Sequence, residues 1–328
     1  MANLETQLVD DIIVKSRRKM LSLGSAALAG LAFGGVKSAD AQAAPAYTDA
    51  DILNFALNLE YLEANFYTLA TSGMTIDMMS IGIGAGAAPT GGGTVATKPG
   101  GPAACLVPWK VAGIMAYANE TAAEERNHVK FLRSALAGAA VAQPNLDLYT
   151  SFNTLASAAG IANTFDPFAN DQNFLIGAYV FEDVGVTAYS GAAPLITDPK
   201  YLGPAAGILA VEAYHAGLIR TSIFASDPTG SAGLQKYTQQ ISATRMGLDG
   251  STTTDDIGVG FQSVMLNGTT GVQAATIVDA QTDKPNYSKT YSRSTTQVLK
   301  IVTGSKSPAT SGKYTGVFFP NGLNGLFS

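Results

Sequence analysis

The chain has two histidines, and each follows a glutamate by three residues: Glu125-Arg126-Asn127-His128 and Glu212-Ala213-Tyr214-His215. Three residues is close to one helical turn, so each pair leaves one face of a helix together. The second pair lies in an apolar run, Ala205 to Ala225, punctuated only by Gly207 and Gly217, which reads as a buried helix. A carboxylate and an imidazole on an apolar face are costly to bury unless something pairs with them, and a divalent metal is one such partner. One Glu-x-x-His is weak evidence, because helix surfaces often carry such a pair. Two that use every histidine, in a chain with only eight glutamates, form a pattern that two satisfied core histidines do not explain.

Three further helices can be read around them. Thr48, with Asp51 three residues on, opens a helix through Leu53, Phe55, Leu57, Leu59, Leu62 and Phe66 that ends at Gly73; the pair resembles a capping box. This helix carries Glu60 and Glu63. A second helix is expected from Val107 to Leu136, with Pro108 in its first turn, and a third from Asp171 to Ala192 with Glu182 in its apolar middle. The fourth begins with Asp198 as cap and Pro199 in its first turn and contains Glu212 and His215. Residues 72–108, rich in glycine and proline, read as a long, mobile loop. Their Gly82, Gly84 and Gly86 lack the strand–turn–helix setting of a dinucleotide site. Short helices are expected near Ser151–Ala159, Ala232–Met246 and Ser294–Val302, with loops between the last two.

The four helices form two similar pairs. Glu60 is followed seven residues later by Tyr67, and Glu182 by Tyr189; Arg133 and Arg220 each stand eight residues after the glutamate of a Glu-x-x-His. The repeat favours Glu60 over Glu63 as ligand, and the expected set is Glu60, Glu125, His128, Glu182, Glu212 and His215. Glu60, Glu125 and His128 would hold one ion, and Glu182, Glu212 and His215 the other, with bridging unassigned. Such a set suits two transition-metal ions, because shared carboxylates offset their repulsion and an imidazole on each disfavours calcium or magnesium. Glu63, Glu124 and Asp183 are placed to orient the histidines or shuttle protons, or are simply solvated or hydrogen-bonded acids. Tyr67 and Tyr189 are candidate electron or hydrogen-bond donors and otherwise core residues.

The stretch Leu57-Asn58-Leu59-Glu60-Tyr61-Leu62-Glu63-Ala64-Asn65-Phe66-Tyr67, and the ending Val298–Val302 followed by Phe318-Phe319-Pro320-Asn321-Gly322-Leu323-Asn324-Gly325, resemble the ferritin-like proteins that include the plant desiccation-related proteins. The resemblance implies an all-α, ferritin-like four-helix bundle with a di-iron or di-manganese centre, iron before manganese, and a stress role. The expected layout is a bundle over residues 44–226, with a long first loop, and a C-terminal extension over 227–328 packing on it.

Ser16-Arg17-Arg18-Lys19 precedes a modest Ala/Gly/Leu run and Ala-x-Ala sites at residues 39–43. Residues 1–43 therefore read as a twin-arginine-type export signal, with a periplasmic or otherwise exported product. Its removal leaves 15 basic and 21 acidic residues, with no basic cluster to suit nucleic acid and no other apolar run of membrane length. Cys105 is the only cysteine, so no intramolecular disulfide framework forms. The expected function is a di-metal oxidoreductase that removes peroxide, reacts with dioxygen or oxidises ferrous iron. Its partners would be those small molecules, with a homo-oligomer left open. The alternative is a non-catalytic stress or structural protein whose metal site is structural or vestigial.

Overall fold

The computed structural model describes residues 47–251, 255–260, 263–266, 269–273 and 289–328. The export signal expected over residues 1–43 lies outside them. Helix α1 spans Asp49–Ser72, α2 Ala112–Leu136, α3 Thr150–Ala158, α4 Asp171–Ala192, α5 Pro199–Ser226, α6 Leu234–Asp249 and α7 Thr295–Thr303. The architecture is an all-α bundle in which α1 packs along α2 and α4 along α5, as the expected four-helix fold requires.

Local chemistry sets most helix ends. The Thr48 amide donates to Asp51 Oδ2 at 2.9 Å while the Asp51 amide donates to Thr48 Oγ1 at 3.2 Å, closing the capping box that starts α1. Gly73, at φ 65°, ends it in the left-handed conformation that glycine adopts without strain. Helix α2 starts later than its sequence suggests, and Pro108 stands outside it. The reason is tertiary: the amides of Lys110 and Val111 donate to the Asp171 carboxylate, and Trp109 packs edge-on to Phe174 at 4.9 Å, which holds this segment extended.

Helices α1 and α4 are buried almost all round, because the connections and the C-terminal segment cover what α2 and α5 leave open. Phe66 sits within 5.2–5.8 Å of Phe152, Phe168, Phe174 and Phe181, tying α1, α3, the crossover and α4 into one aromatic core. Helix α5 alone among the described residues is long and apolar enough to cross a membrane, so the reading of no such run is corrected on composition. Its Glu212, His215 and Ile219, however, are buried in the bundle.

The glycine-rich connection is held rather than free. Arg133 donates to the carbonyls of Gly84 at 2.7 Å, Gly86 at 2.8 Å and Ala88 at 3.0 Å. Strand β1 (Val95–Ala96) pairs in parallel with β2 (Leu146–Asp147). Gly93 needs its missing side chain, since a Cβ there would fall 2.4 Å from the Asn145 nitrogen. Part of the region expected as loops between α6 and α7 is an antiparallel hairpin, β3 (Ser263–Leu266) with β4 (Thr269–Gln273).

The C-terminal residues are locked on by two devices. Asn324 and Asn58 exchange backbone–side-chain bonds, Asn324 N to Asn58 Oδ1 and Asn58 Nδ2 to Asn324 O, both at 2.9 Å. Deeper, Arg245 donates to Asp183 Oδ2 at 2.9 Å and to Asp256 Oδ1 at 2.6 Å, and Arg293 donates to Asp249 Oδ2 at 2.8 Å and Asp256 Oδ2 at 2.6 Å. Arg220 closes the network on Asp183 with two bonds of 2.9 Å. Three guanidinium groups thus face three aspartates, and opposite charges compensate one another inside the fold. Removing one member strands buried charge. Arg245→Met is expected to lower unfolding free energy by roughly 3–5 kcal/mol, measured by denaturant melts against wild type.

Candidate metal centre

The two Glu-x-x-His turns and the glutamates of α1 and α4 converge at the middle of the bundle. Glu60, Glu125, Glu182, Glu212 and His215 are at most 1% exposed and His128 is 8% exposed. His128 Nδ1 lies 3.2 Å from Glu60 Oε2, 3.5 Å from Glu212 Oε1 and 3.6 Å from Glu125 Oε2. His215 Nδ1 lies 3.0 Å from Glu125 Oε1 and 3.5 Å from Glu182 Oε2. The imidazole centroids are 6.3 Å apart. Two groups of ligand atoms, each within 4.8 Å of one another, follow: Glu60, Glu125, His128 and Glu212, and Glu125, Glu182 and His215. Glu125 belongs to both and stands where a bridging carboxylate would.

All six residues singled out in the sequence are therefore together, but they are shared out differently from the expected division. Glu212 faces His128 and not its own helix's His215. The cause is the antiparallel course of α2 and α5, which sets residue 125 beside 215 and residue 128 beside 212. The tyrosines cross as well. Tyr67 of α1 donates to Glu182 of α4, and Tyr189 of α4 donates to Glu60 of α1. Each tyrosine thus orients the other pair's glutamate, under an approximate two-fold relation between the helix pairs. The repeated arginines obey it too: Arg133 donates to Tyr61, the residue after Glu60, at 2.5 Å, as Arg220 does to Asp183, the residue after Glu182. Glu63 is buried but belongs to neither ligand group.

Glu124 accepts from His215 Nε2 at 2.7 Å, which turns Nδ1 inward toward Glu125 and Glu182. Asp183 instead serves the arginine network. Gly185 was not singled out in the sequence, yet a Cβ there would lie 2.2 Å from Glu212 Oε2. The signal was present, since Gly185 stands three residues after Glu182 as Glu63 stands after Glu60.

These residues fit a bound metal ion. Both oxygens of Glu125 and of Glu212, Oε2 of Glu182 and Nδ1 of His215 are buried without a hydrogen-bond partner, although buried polar atoms almost always have one. The 3.0 Å approach of His215 Nδ1 to Glu125 Oε1 is an ion-pair distance without hydrogen-bond geometry. Atoms converging on a point without bonding one another are what a shared cation requires. Charge supports this: with Glu63, five carboxyls meet two imidazoles, and burial forces the excess to keep protons. Burial, offset by His128 and reinforced by Glu125, raises Glu60 to about 7. Burial and the neighbouring carboxylates raise Glu63 and Glu212 well above the usual range. Burial alone would raise Glu125, but the two histidines outweigh it and hold it low. Burial opposes the charge on His128, yet Glu60 and Glu125 push it up to about 12.

The sign of the resulting pH dependence follows for the metal-free protein. The neutral form of Glu60 favours folding in full below about pH 4.5, and that stability is lost as pH rises through about 7. Glu63, Glu182 and Glu212 act in the same direction. His128 adds a loss starting near 6.5 and completed near 12, while Glu125 opposes only on acidification. Chelated protein is thus expected to be less stable at pH 8 than at pH 5, and Glu60→Gln to remove roughly 3 kcal/mol of that difference. Denaturant titrations at the two pH values in chelator read it; equal stability at both would contradict it.

Known proteins resemble this chain in sequence. The profile of a family described as the ferritin-like domain matches residues 48–225. The desiccation-related protein PCC13-62 of Craterostigma plantagineum is 34% identical over 206 residues, 60% of this chain and 61% of that protein, so the similarity spans less than two thirds of that relative. The ferritin-like catalase Nec2 of Nesocodon mauritianus is 25% identical over 286 residues, 84% of each chain. No solved structure matches significantly.

Proposed function

The chain belongs to the ferritin-like domain family, and on that premise we propose that it is an exported oxidoreductase that disproportionates hydrogen peroxide at a pair of transition-metal ions, iron before manganese. The observation that carries this reading is the pair of buried ligand groups sharing Glu125, each with one imidazole. The similarity to a ferritin-like catalase supports the choice of peroxide. Two peroxides give two waters and one dioxygen: one molecule loses two electrons and two protons, and the other gains them. The bound ions would hold the two electrons between the halves.

The chain's own groups divide the remaining work. Glu60, Glu125, His128 and Glu212 would hold one ion, and Glu182 and His215, with Glu125 shared, the other. Tyr189 and Tyr67 fix the free oxygens of Glu60 and Glu182 by hydrogen bonds, and burial raises both phenols well above their usual range, so each stays a proton donor to its carboxylate. Glu124 holds His215 in one tautomer and is itself 35% exposed on its side chain, so it links the buried centre to the surface. Burial keeps bulk water from the cluster. Dioxygen or ferrous iron as co-substrate fits the same centre.

Elemental analysis of protein purified from the compartment it reaches should find two transition-metal ions per chain, and the loaded protein should remove hydrogen peroxide faster than the free ions do. His128→Ala and His215→Ala should each lose metal and activity while the bundle still folds. A fully loaded wild type inert toward peroxide, dioxygen and ferrous iron would favour a structural role for the metal.

Export by the twin-arginine route belongs to the same proposal. Arg17→Lys with Arg18→Lys keeps the charge and removes the recognised pair, so the double variant should accumulate inside the cell. Normal appearance outside would refute that route.

A further inference from the structure

The approximate two-fold relation matches Glu60 with Glu182, Tyr67 with Tyr189, Glu125 with Glu212 and His128 with His215. It fails where Glu63 on α1 answers to Gly185 on α4. Glycine makes room there, because a Cβ at 185 would lie 2.2 Å from Glu212 Oε2 and 3.6 Å from Glu63 Oε1. The Glu212 carboxylate takes the space that a side chain at 185 would occupy, so the two halves of the centre are unequal at this position.

On that side lies a cavity of about 20 Å³, with Glu63 and Gly185 in its wall and Leu62, Val184, Val302 and Phe318 among its apolar lining. Glu63 is its one ionisable side chain. One water-sized molecule needs about 10–15 Å³ of such space, so the cavity admits a guest of two or three heavy atoms at most. An apolar wall favours a neutral guest over an anion, and Glu63 is the one residue of that wall whose side chain is able to hydrogen-bond. Val302 of α7 and Phe318 bring the C-terminal segment into this wall, with the Phe318 amide donating to the Val302 carbonyl at 3.2 Å.

We propose that this cavity, walled by the C-terminal segment and abutting the carboxylate cluster at Glu63 and Gly185, is the pocket that selects small neutral hydrogen peroxide and refuses bulkier hydroperoxides. The proposal rests on the oxidoreductase reading above and adds the substrate's size class and the part of the chain that sets it.

Val302→Phe fills the cavity from a helix that carries no ligand, and Val302→Leu fills it in part. In metal-loaded protein, Val302→Phe should lower kcat/KM for hydrogen peroxide at least tenfold, with Val302→Leu intermediate and metal content unchanged in both. Wild type should turn over tert-butyl hydroperoxide at least a hundredfold more slowly than hydrogen peroxide. Independently of turnover, crystals of metal-free wild type under xenon pressure should hold xenon in the cavity, and crystals of either Val302 variant should hold less. Absence of xenon from wild type, equal peroxide rates in wild type and variants, or ready use of tert-butyl hydroperoxide would overturn the pocket while leaving the oxidoreductase reading intact. A loaded wild type inert toward hydrogen peroxide would remove that reading and the pocket's role with it.

Discussion

Five carboxyls and two imidazoles enclosed by four helices are the constraint that shapes this molecule. Burying so much like charge is unfavourable by a wide margin unless cations or protons accompany it. The metal-free centre answers with protons, and its raised glutamates record the strain of crowding. Two divalent ions would replace those protons and give each orphaned oxygen a partner. Stability and function are therefore linked at one point: the groups that make the empty bundle pH-sensitive are the ones that would make the filled bundle reactive.

The surrounding structure is arranged to hold this crowd in register. Tyrosines crossing between α1 and α4 make each helix responsible for the other's glutamate, so a slip of either would cost two hydrogen bonds. Behind them stand the two repeated arginines. Arg133 fastens the residue after Glu60 to the glycine-rich connection, and Arg220 fastens the residue after Glu182 to the Ile257 carbonyl in the C-terminal segment. What lies outside the four helices is thus tied, by the same device on both sides, to the backbone that carries the ligands. The arginine–aspartate network extends that tie through Arg245 and Arg293, deep enough that the C-terminal segment is part of the core.

Approximate symmetry explains the economy of the centre, and its failure explains its direction. Equivalent residues supply equivalent ligands, orienting phenols and backing arginines from two halves of one chain. The exchange of a glutamate for a glycine at positions 63 and 185 gives one half a fifth carboxyl and the other room for the Glu212 carboxylate, beside the cavity that the C-terminal segment completes.

The helices and their burden were legible in the sequence because they rest on local rules. One-turn spacing of Glu125 with His128 and of Glu212 with His215, two-turn spacing of Glu60 with Tyr67, and the caps at Thr48 and Asp198 are properties of a chain a few residues long. Which carboxylate meets which imidazole was not legible. It depends on the antiparallel packing of α2 against α5, which turns Glu212 toward His128 and leaves Glu125 between both histidines. The start of α2 was set by a carboxylate sixty residues away, at Asp171, and the balance of Arg245, Arg293, Asp249 and Asp256 by contacts between distant segments. Sequence determined which side chains share a helical face, since backbone geometry alone dictates that; tertiary structure decided which faces meet, since that follows from burial summed over the whole fold.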